Sequence, residues 1–320
     1  MATSVDDKIK LFTGNAHPAL AREVADYLGV GLGEAMVSQF ADGEIRVVVG
    51  ESVRGMDVYV LQSLCRPVND HIMELMVMID ALKRSSARTI TAVLPYFAYA
   101  RQDRQDRPRT PITAKLVADM ITAAGADRVM AMDLHAAQIQ GFFQTPVEHL
   151  YASKALLAAM RDAAGESLDD LAIVAPDAGG VERSRWFSNK LGTGLAIIDK
   201  RRSKPNVAEV MHVIGDVEGR DCFLVDDMID TAGTLCSAAN ALKAYGAKRV
   251  LAFATHGLLN GPAVSRIEES VLERVVVANT IPLHAEAERS TKIDKVSVGE
   301  LIGEAIKRVH VESSVSSLWV

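Results

Sequence analysis

The stretch VDDMIDTAGT, residues 225 to 234, follows the apolar Cys222, Phe223 and Leu224 and sets acids, small residues and hydroxyls in a fixed order. Asp226 and Asp227 are adjacent carboxylates, which repel a phosphate but suit neutral hydroxyls as acceptors. Asp230, Thr231, Ala232, Gly233 and Thr234 come next. A helix opening at Asp230 or Thr231 leaves its first N–H groups without partners, and the small residues let an anion reach them. The two threonines add hydroxyl donors, and the helix dipole favours the negative charge. A ligand with hydroxyls at one end and a phosphate at the other, a sugar phosphate, matches both halves. The expectation is a buried strand ending on Asp226 and Asp227, with the helix beginning at 230 or 231.

Other stretches carry chemistry of their own. PDAGG at 176 to 180 ends the apolar run LAIVAPD, and Gly179 and Gly180 let backbone amides turn toward an anion. DKRR at 199 to 202, followed by Ser203, Lys204, Pro205 and Asn206, has the charge and breakers of a mobile surface loop, and by itself reads first as a solvated basic run. FADGE at 40 to 44 offers the aromatic face of Phe40 and the acceptors Asp42 and Glu44 around Gly43, although Asp-Gly alone is an ordinary turn. Arg101 and Gln102 follow the strand TITAVLPYF, where a guanidinium can hold a phosphate by its fork. His135 closes the run DRVMAMDLH, and position alone does not distinguish it from His256 in KRVLAFATHG.

Short β-branched runs alternate with Ala/Leu/Met-rich amphipathic stretches. Strands are expected at 8–14, 56–63, 89–97, 127–135, 171–177, 221–227 and 248–257, and helices at 16–28, 69–84, 112–124, 152–162, 180–191 and 232–245. That alternation predicts an α/β protein with mainly parallel sheets flanked by helices, and ligands at the carboxyl ends of the strands. An internal repeat sharpens it: residues 110–135 align with 231–256 without a gap over 26 positions and match at 10, including Gly125-Ala126 with Gly246-Ala247. Two similar domains, 1–150 and 151–320, are therefore expected. They diverge before the repeat, where AVLPYFAYARQDRQDRPRT faces FLVDDMID.

A chain of 320 residues can bury two cores without staples. Its three cysteines, Cys65, Cys222 and Cys236, are odd in number and lack metal-ligand spacing, so reduced thiols and no zinc site are expected. MATSVDDKIK is polar and acidic where a secretory leader would be basic then apolar, and no apolar run approaches the ~20 residues that span a bilayer. A cytoplasmic protein with no membrane partner is expected. The net charge of −6 gives no reason to expect a nucleic-acid partner.

Six motifs, FADGE, RQD at 101 to 103, MDLHAAQIQGFF at 132 to 143, PDAGG, DKRR and VDDMIDTAGT, occur in the order found in the ribose-phosphate diphosphokinases of the phosphate-activated bacterial kind, and the chain resembles that family nearly end to end. The resemblance implies two type I phosphoribosyltransferase-like domains, with the C-terminal tail packing on the first. It implies transfer of the diphosphate of Mg-ATP to the C1 hydroxyl of ribose 5-phosphate, giving phosphoribosyl diphosphate and AMP. Phe40, Asp42, Gly43, Glu44, Arg101 and Gln102 would then bind ATP. Asp177, Ala178, Gly179 and Gly180 would form the diphosphate loop, and Arg202, Asp226, Asp227 and residues 230–234 would bind ribose 5-phosphate. Lys200 and Arg202 match the catalytic loop pair, whose cations suit a phosphoryl transfer that depends on positioning and electrostatics. His135 and Asp177 would hold Mg2+, with Asp133 an outer neighbour; an imidazole is an unusual ligand for that ion. The family further implies a homo-oligomer, commonly a hexamer, activation by inorganic phosphate and inhibition by ADP. One departure stands out: RQDRQDRPRT carries Gln105, Asp106 and Pro108 where the family commonly adds a basic residue.

A phosphoribosyltransferase would share VDDMIDTAGT but has no need of FADGE, RQD or the repeated first half. A non-catalytic associated subunit would be expected to lose the cation loop, and DKRR is intact. A nucleic-acid-binding regulator would need a basic face.

Overall fold

Val, Ile and Leu runs too apolar to face water on either side must be covered on both, and that need organises the chain. The computed structural model describes residues 8–165, 167–201 and 210–318. In chain order the elements are β1 (Ile9–Thr13), α1 (Pro18–Leu28), β2 (Ala35–Gln39), β3 (Ile45–Val49), β4 (Asp57–Leu61), α2 (Val68–Arg84), β5 (Thr89–Leu94), α3 (Thr113–Ala124), β6 (Arg128–Met132) and β7 (Val147–Leu150). There follow α4 (Ser153–Ala164), β8 (Leu171–Ala175), α5 (Val181–Leu191), β9 (Gly194–Arg201), β10 (Val210–Ile214), β11 (Asp221–Ile229), α6 (Gly233–Ala244) and β12 (Arg249–Gly257). The last are α7 (Ala263–Glu269), β13 (Arg274–Ala278), α8 (Ala285–Glu288), β14 (Ile293–Val296) and α9 (Gly299–His310). Short 3-10 turns lie at Ala137–Phe142, Ala178–Gly180 and Ser316–Leu318.

The chain divides into two units. One runs to Ala152 and takes back Thr280–Pro282 and the chain from Ser297 onward; the other comprises Ser153–Asn279 and Leu283–Val296. In the first unit β1, β4, β5, β6 and β7 form a parallel sheet in that order. The antiparallel hairpin β2–β3 stands apart from it, with Gln39 opposite Ile45. Helix α9 joins this unit through close packing on α1: a Cβ on Gly303 would lie 2.5 Å from the Tyr27 ring and one on Gly299 2.8 Å from Glu23 Cβ. Tyr27 donates to Glu304 at 2.9 Å, and His310 at the helix end meets the Asp57 carboxylate at 2.9 Å. Asp57 also accepts from Arg88 Nε at 2.7 Å and Thr89 Oγ1 at 2.8 Å. Burial raises the pKa of Asp57, but these donors outweigh it and hold the group below the usual carboxylate range.

The second unit has a seven-stranded sheet ordered β10-β9-β8-β11-β12-β13-β14, parallel except for β10 against β9. Here the structure corrects the expected end of the central strand. β11 does not stop at Asp226 and Asp227; it continues to Ile229, with Asp226 opposite Ala254 and Ile229 opposite Gly257 of β12. Its pairing with β8 ends at Leu224. The two acids thus lie where one neighbouring strand has finished and the other continues, which opens one side of the strand to the loop after β8.

The repeat has a conformational basis. Gly125 and Gly246, which align, both hold positive φ, 117° and 88°, where the chain leaves α3 and α6 for β6 and β12. A side chain at either would strain the backbone.

Candidate active site

In the second unit two loops converge from adjacent strands. After β8, Pro176 leads to Asp177, whose Oδ1 accepts from Gly179 N at 2.9 Å and Gly180 N at 3.2 Å. The sequence reading offers those amides to an anion; here the loop's own carboxylate caps them, so a diphosphate would have to displace it. Gly180 packs against the strand: a Cβ there would stand in ordinary contact, 3.7 Å from Val225 O on β11 and 3.4 Å from Pro176.

Asp226 Oδ1 accepts from Asp227 N at 2.9 Å. Burial first, then the neighbouring charge of Asp227, pushes its pKa up to about 7; Asp177 adds repulsion. Three acids from two strand ends therefore share one electrostatic environment. A few residues further on, Ala232 adopts left-handed φ 57°, and helix α6 starts only at Gly233, with no side chain capping its N-terminus. The expected start at 230 or 231 is too early, because a left-handed residue cannot continue a right-handed helix. The consequence for binding is unchanged: uncapped N–H groups follow the exposed Thr231 and accompany the exposed Thr234.

In the first unit, FADGE forms the tip of the β2–β3 hairpin. Gly43 N donates to Phe40 O at 2.9 Å, Phe40 N to Glu44 O at 2.8 Å, and Asp42 Oδ1 accepts from Glu44 N at 3.1 Å. Gly43 takes φ 92°, and Phe40 is left 50% exposed with Arg46 stacked 5.6 Å from its ring centre. Arg101 and Gln102 lie beyond β5, and both are exposed. Gln102 is turned to structure as well: its carbonyl accepts from Ala114 N at 3.2 Å and its side-chain oxygen from Thr113. The divergent residues that follow stitch their own loop, with Gln105 donating to Thr110 O at 2.7 Å and Thr110 bonded to Asp106 and Arg107.

His135 and His256, equivalent in the repeat, separate cleanly. β6 ends at Met132 and leaves His135 exposed beyond it, whereas β12 runs on through His256, which is 2% exposed. Asp133, at φ 40°, is buried and accepts from Ala152 N at 2.9 Å. Leu134 N donates to His149 Nε2 at 3.0 Å, so that nitrogen carries no proton. These bonds fix the segment that presents His135, and neither His149 nor the carboxylate role of Asp133 carries a signal in the sequence. Among the described residues no three His, Cys, Asp or Glu side chains gather closely enough to hold a metal ion by themselves. Lys200 lies in β9 with its backbone opposite Met211, and Arg202 lies outside the described residues. No helix among the described residues is long and apolar enough to cross a membrane.

Two units built on mainly parallel sheets, one carrying an acid pair near the end of its central strand ahead of an uncapped helix, define an α/β protein of the phosphoribosyltransferase-like class. Residues 9–125 match the family model described as the N-terminal domain of ribose phosphate pyrophosphokinase, and residues 200–320 match the phosphoribosyl synthetase-associated domain. The ribose-phosphate pyrophosphokinase of Clostridium perfringens is 54% identical over 97% of this chain and 97% of its own. That of Burkholderia pseudomallei is 55% identical over 99% of each. The crystal structure of phosphoribosylpyrophosphate synthetase from Mycobacterium smegmatis, 44% identical, superposes with a TM-score of 0.89 over 96% of this chain and all of that one. The chain belongs to the ribose-phosphate pyrophosphokinase family.

Proposed function

We propose that the protein transfers the diphosphate group of ATP to the C1 hydroxyl of ribose 5-phosphate, forming 5-phosphoribosyl 1-diphosphate and AMP. The observation that carries this reading is the pairing, on one strand end, of the Asp226–Asp227 acids with the uncapped start of α6. The acids are placed to accept from ring hydroxyls, and the 5-phosphate docks on the amides and hydroxyls of residues 231–234. Asp230, Ala232 and Gly233 shape that loop. The diphosphate meets Asp177, Ala178, Gly179 and Gly180 once the Asp177 carboxylate turns from its own amides.

ATP is read by Phe40, whose half-exposed ring offers an adenine a stacking face, and by Asp42, Gly43 and Glu44, with Arg101 and Gln102 on the nucleotide as well. Lys200 and Arg202 supply cations to the transferring group. Mg2+, when bound, would supply charge neutralisation at the ATP phosphate oxygens. Of the residues assigned to it, the carboxylate of Asp177 fits a hard cation and the imidazole of His135 fits it less well, so phosphate and water make up most of its shell. No side chain in the described site is placed as a strong base, and a loose transition state makes little demand for one. A homohexamer, activation by inorganic phosphate, inhibition by ADP and a cytoplasmic location complete the reading.

The test mixes the protein with ATP, Mg2+, inorganic phosphate and ribose 5-phosphate and follows AMP beside phosphoribosyl diphosphate, with Lys200→Ala as control. Equimolar products that vanish in the variant are expected. Ribose 5-phosphate binding without AMP release would instead mark a non-catalytic member of the family.

A further inference from the structure

The loop that carries Thr231 and the left-handed Ala232 is held from behind by one segment, the turn after β12 and the helix α7. Leu259 N donates to Ile229 O at 3.0 Å, and Asn260 N to Asp230 O at 3.0 Å. The Asn260 amide then donates to Asp230 Oδ1 at 2.9 Å, and Arg266 Nη1 reaches Thr231 O at 2.9 Å. Four bonds thus fall on three consecutive residues immediately before Ala232. A non-glycine residue in the left-handed region is unfavourable and persists only where its surroundings over-determine it. Here the surroundings are these donors, and two of them are side chains.

The bonds also change the reading of Asp230. Its carboxylate is turned to Asn260 and takes part in the loop's architecture. The guanidinium of Arg266 lies 3.3 Å from where a Cβ on Gly233 would stand, so it occupies the flank of the first helical turn. Resting on the reaction proposed above, we infer that Asn260 and Arg266 are positioning residues for ribose 5-phosphate. They hold the 229–232 backbone so that the N–H groups of α6 face the 5-phosphate, and neither need touch the substrate. Loss of either lets Ala232 relax toward ordinary φ and disperses the amides, which weakens binding while leaving the transfer step itself alone.

The experiment compares wild type with Asn260→Ala, Arg266→Ala, Arg266→Lys and, as a reference on the same helix, Ser265→Ala. Steady-state kinetics, calorimetric titration with ribose 5-phosphate and a thermal melt are run on each. We expect KM and Kd for ribose 5-phosphate to rise about tenfold in both alanine variants, with kcat within about twofold and KM for ATP unchanged. Arg266→Lys keeps a donor and is expected to recover most of the loss; Ser265→Ala is expected to lose nothing. An unchanged KM and Kd for ribose 5-phosphate in the alanine variants, whether or not the melting temperature falls, would overturn the inference. The calorimetric arm separates the two readings: wild type that binds ribose 5-phosphate without turnover sinks the reaction, while the ratio of affinities still reports the brace. Wild type that does not bind it sinks both.

Discussion

Glu74 in the first unit and Asp226 in the second are both acids held beside the ends of parallel strands, and their surroundings are opposite. Glu74, 4% exposed, accepts from Asn15 N at 3.0 Å, Asn15 Nδ2 at 2.7 Å and Gln62 Nε2 at 2.7 Å, groups that follow β1 and β4. Gln62 is itself wholly buried and continues the network to His71 O and Ala16 N. Asp226 instead faces Asp227 and Asp177. The same contrast runs through the repeat. After β5 the chain packs Tyr96, Phe97 and Ala98 inward, with Phe97 5.7 Å from Phe143, whereas β11 runs through two acids at the corresponding place. One fold therefore offers a strand-end site twice, closes it with its own side chains in one unit, and in the other leaves charge that a ligand can satisfy.

The largest effect should come from neutralising that charge. Asp226→Asn and Asp227→Asn each remove a carboxylate proposed to accept from the sugar hydroxyls, and kcat/KM for AMP formation is expected to fall roughly 10²- to 10³-fold with an intact fold. Retention of full activity by both variants would leave the acids without a role. The opposite acid should give the opposite outcome: Glu74→Ala removes the shared acceptor of Asn15 and the wholly buried Gln62 and should cost roughly 1–3 kcal/mol of stability by denaturant melt. Its KM for ribose 5-phosphate should stay at the wild-type value. A Glu74→Ala protein as stable as wild type would mean that the crevice of the first unit is not closed by this network.

Much of this contrast was legible in the residue order. Each of the seven expected strands and six expected helices has an element at its position, because strands buried on both faces read as apolar runs and their helices as periodic ones. The hairpin β2–β3 went unread since its strands are only half buried and show weak alternation around FADGE. The return of the C-terminal segment to the first unit was implied by the family resemblance alone; Gly299 and Gly303 of α9 are explained by the ring and stem they touch. In the site, acids, glycines and threonines announce themselves by type. Asn260 and Arg266 do not, because their partners are a carboxylate and a carbonyl about thirty residues away that any sequence could supply.

The acid cluster should also write itself into the pH dependence of stability. Asp226 titrates near 7 in the fold against about 4 in an unfolded chain, so between those values the native state binds more protons. Stability of the ligand-free protein should thus fall as pH rises from about 4 to about 7 and level above it, by on the order of 4 kcal/mol at most from this group. Melts of wild type and Asp226→Asn at pH 5 and pH 8 test the sign. The variant should be the more stable of the two at pH 8 and lose its advantage at pH 5. A wild type that gains on the variant toward pH 8 would mean that Asp226 finds a positive partner beyond the acids that face it among the described residues.

The smallest effect concerns the nucleotide-binding role proposed for the hairpin tip of the first unit. Phe40 is half exposed although large and apolar, and the only cation stacked on it among the described residues is Arg46, at 5.6 Å. A ring left in water gains little for the fold, so Phe40→Ala should hardly change the melting temperature. Stacking an adenine on that ring contributes about 1 kcal/mol, and its loss should raise KM for ATP about fivefold while KM for ribose 5-phosphate stays put. Phe40→Tyr should restore it, since the face is kept. A uniform loss of activity toward both substrates would place the hairpin in the folding of the first unit and take it out of nucleotide recognition, leaving unit 1 a scaffold at this point as well as at its strand ends.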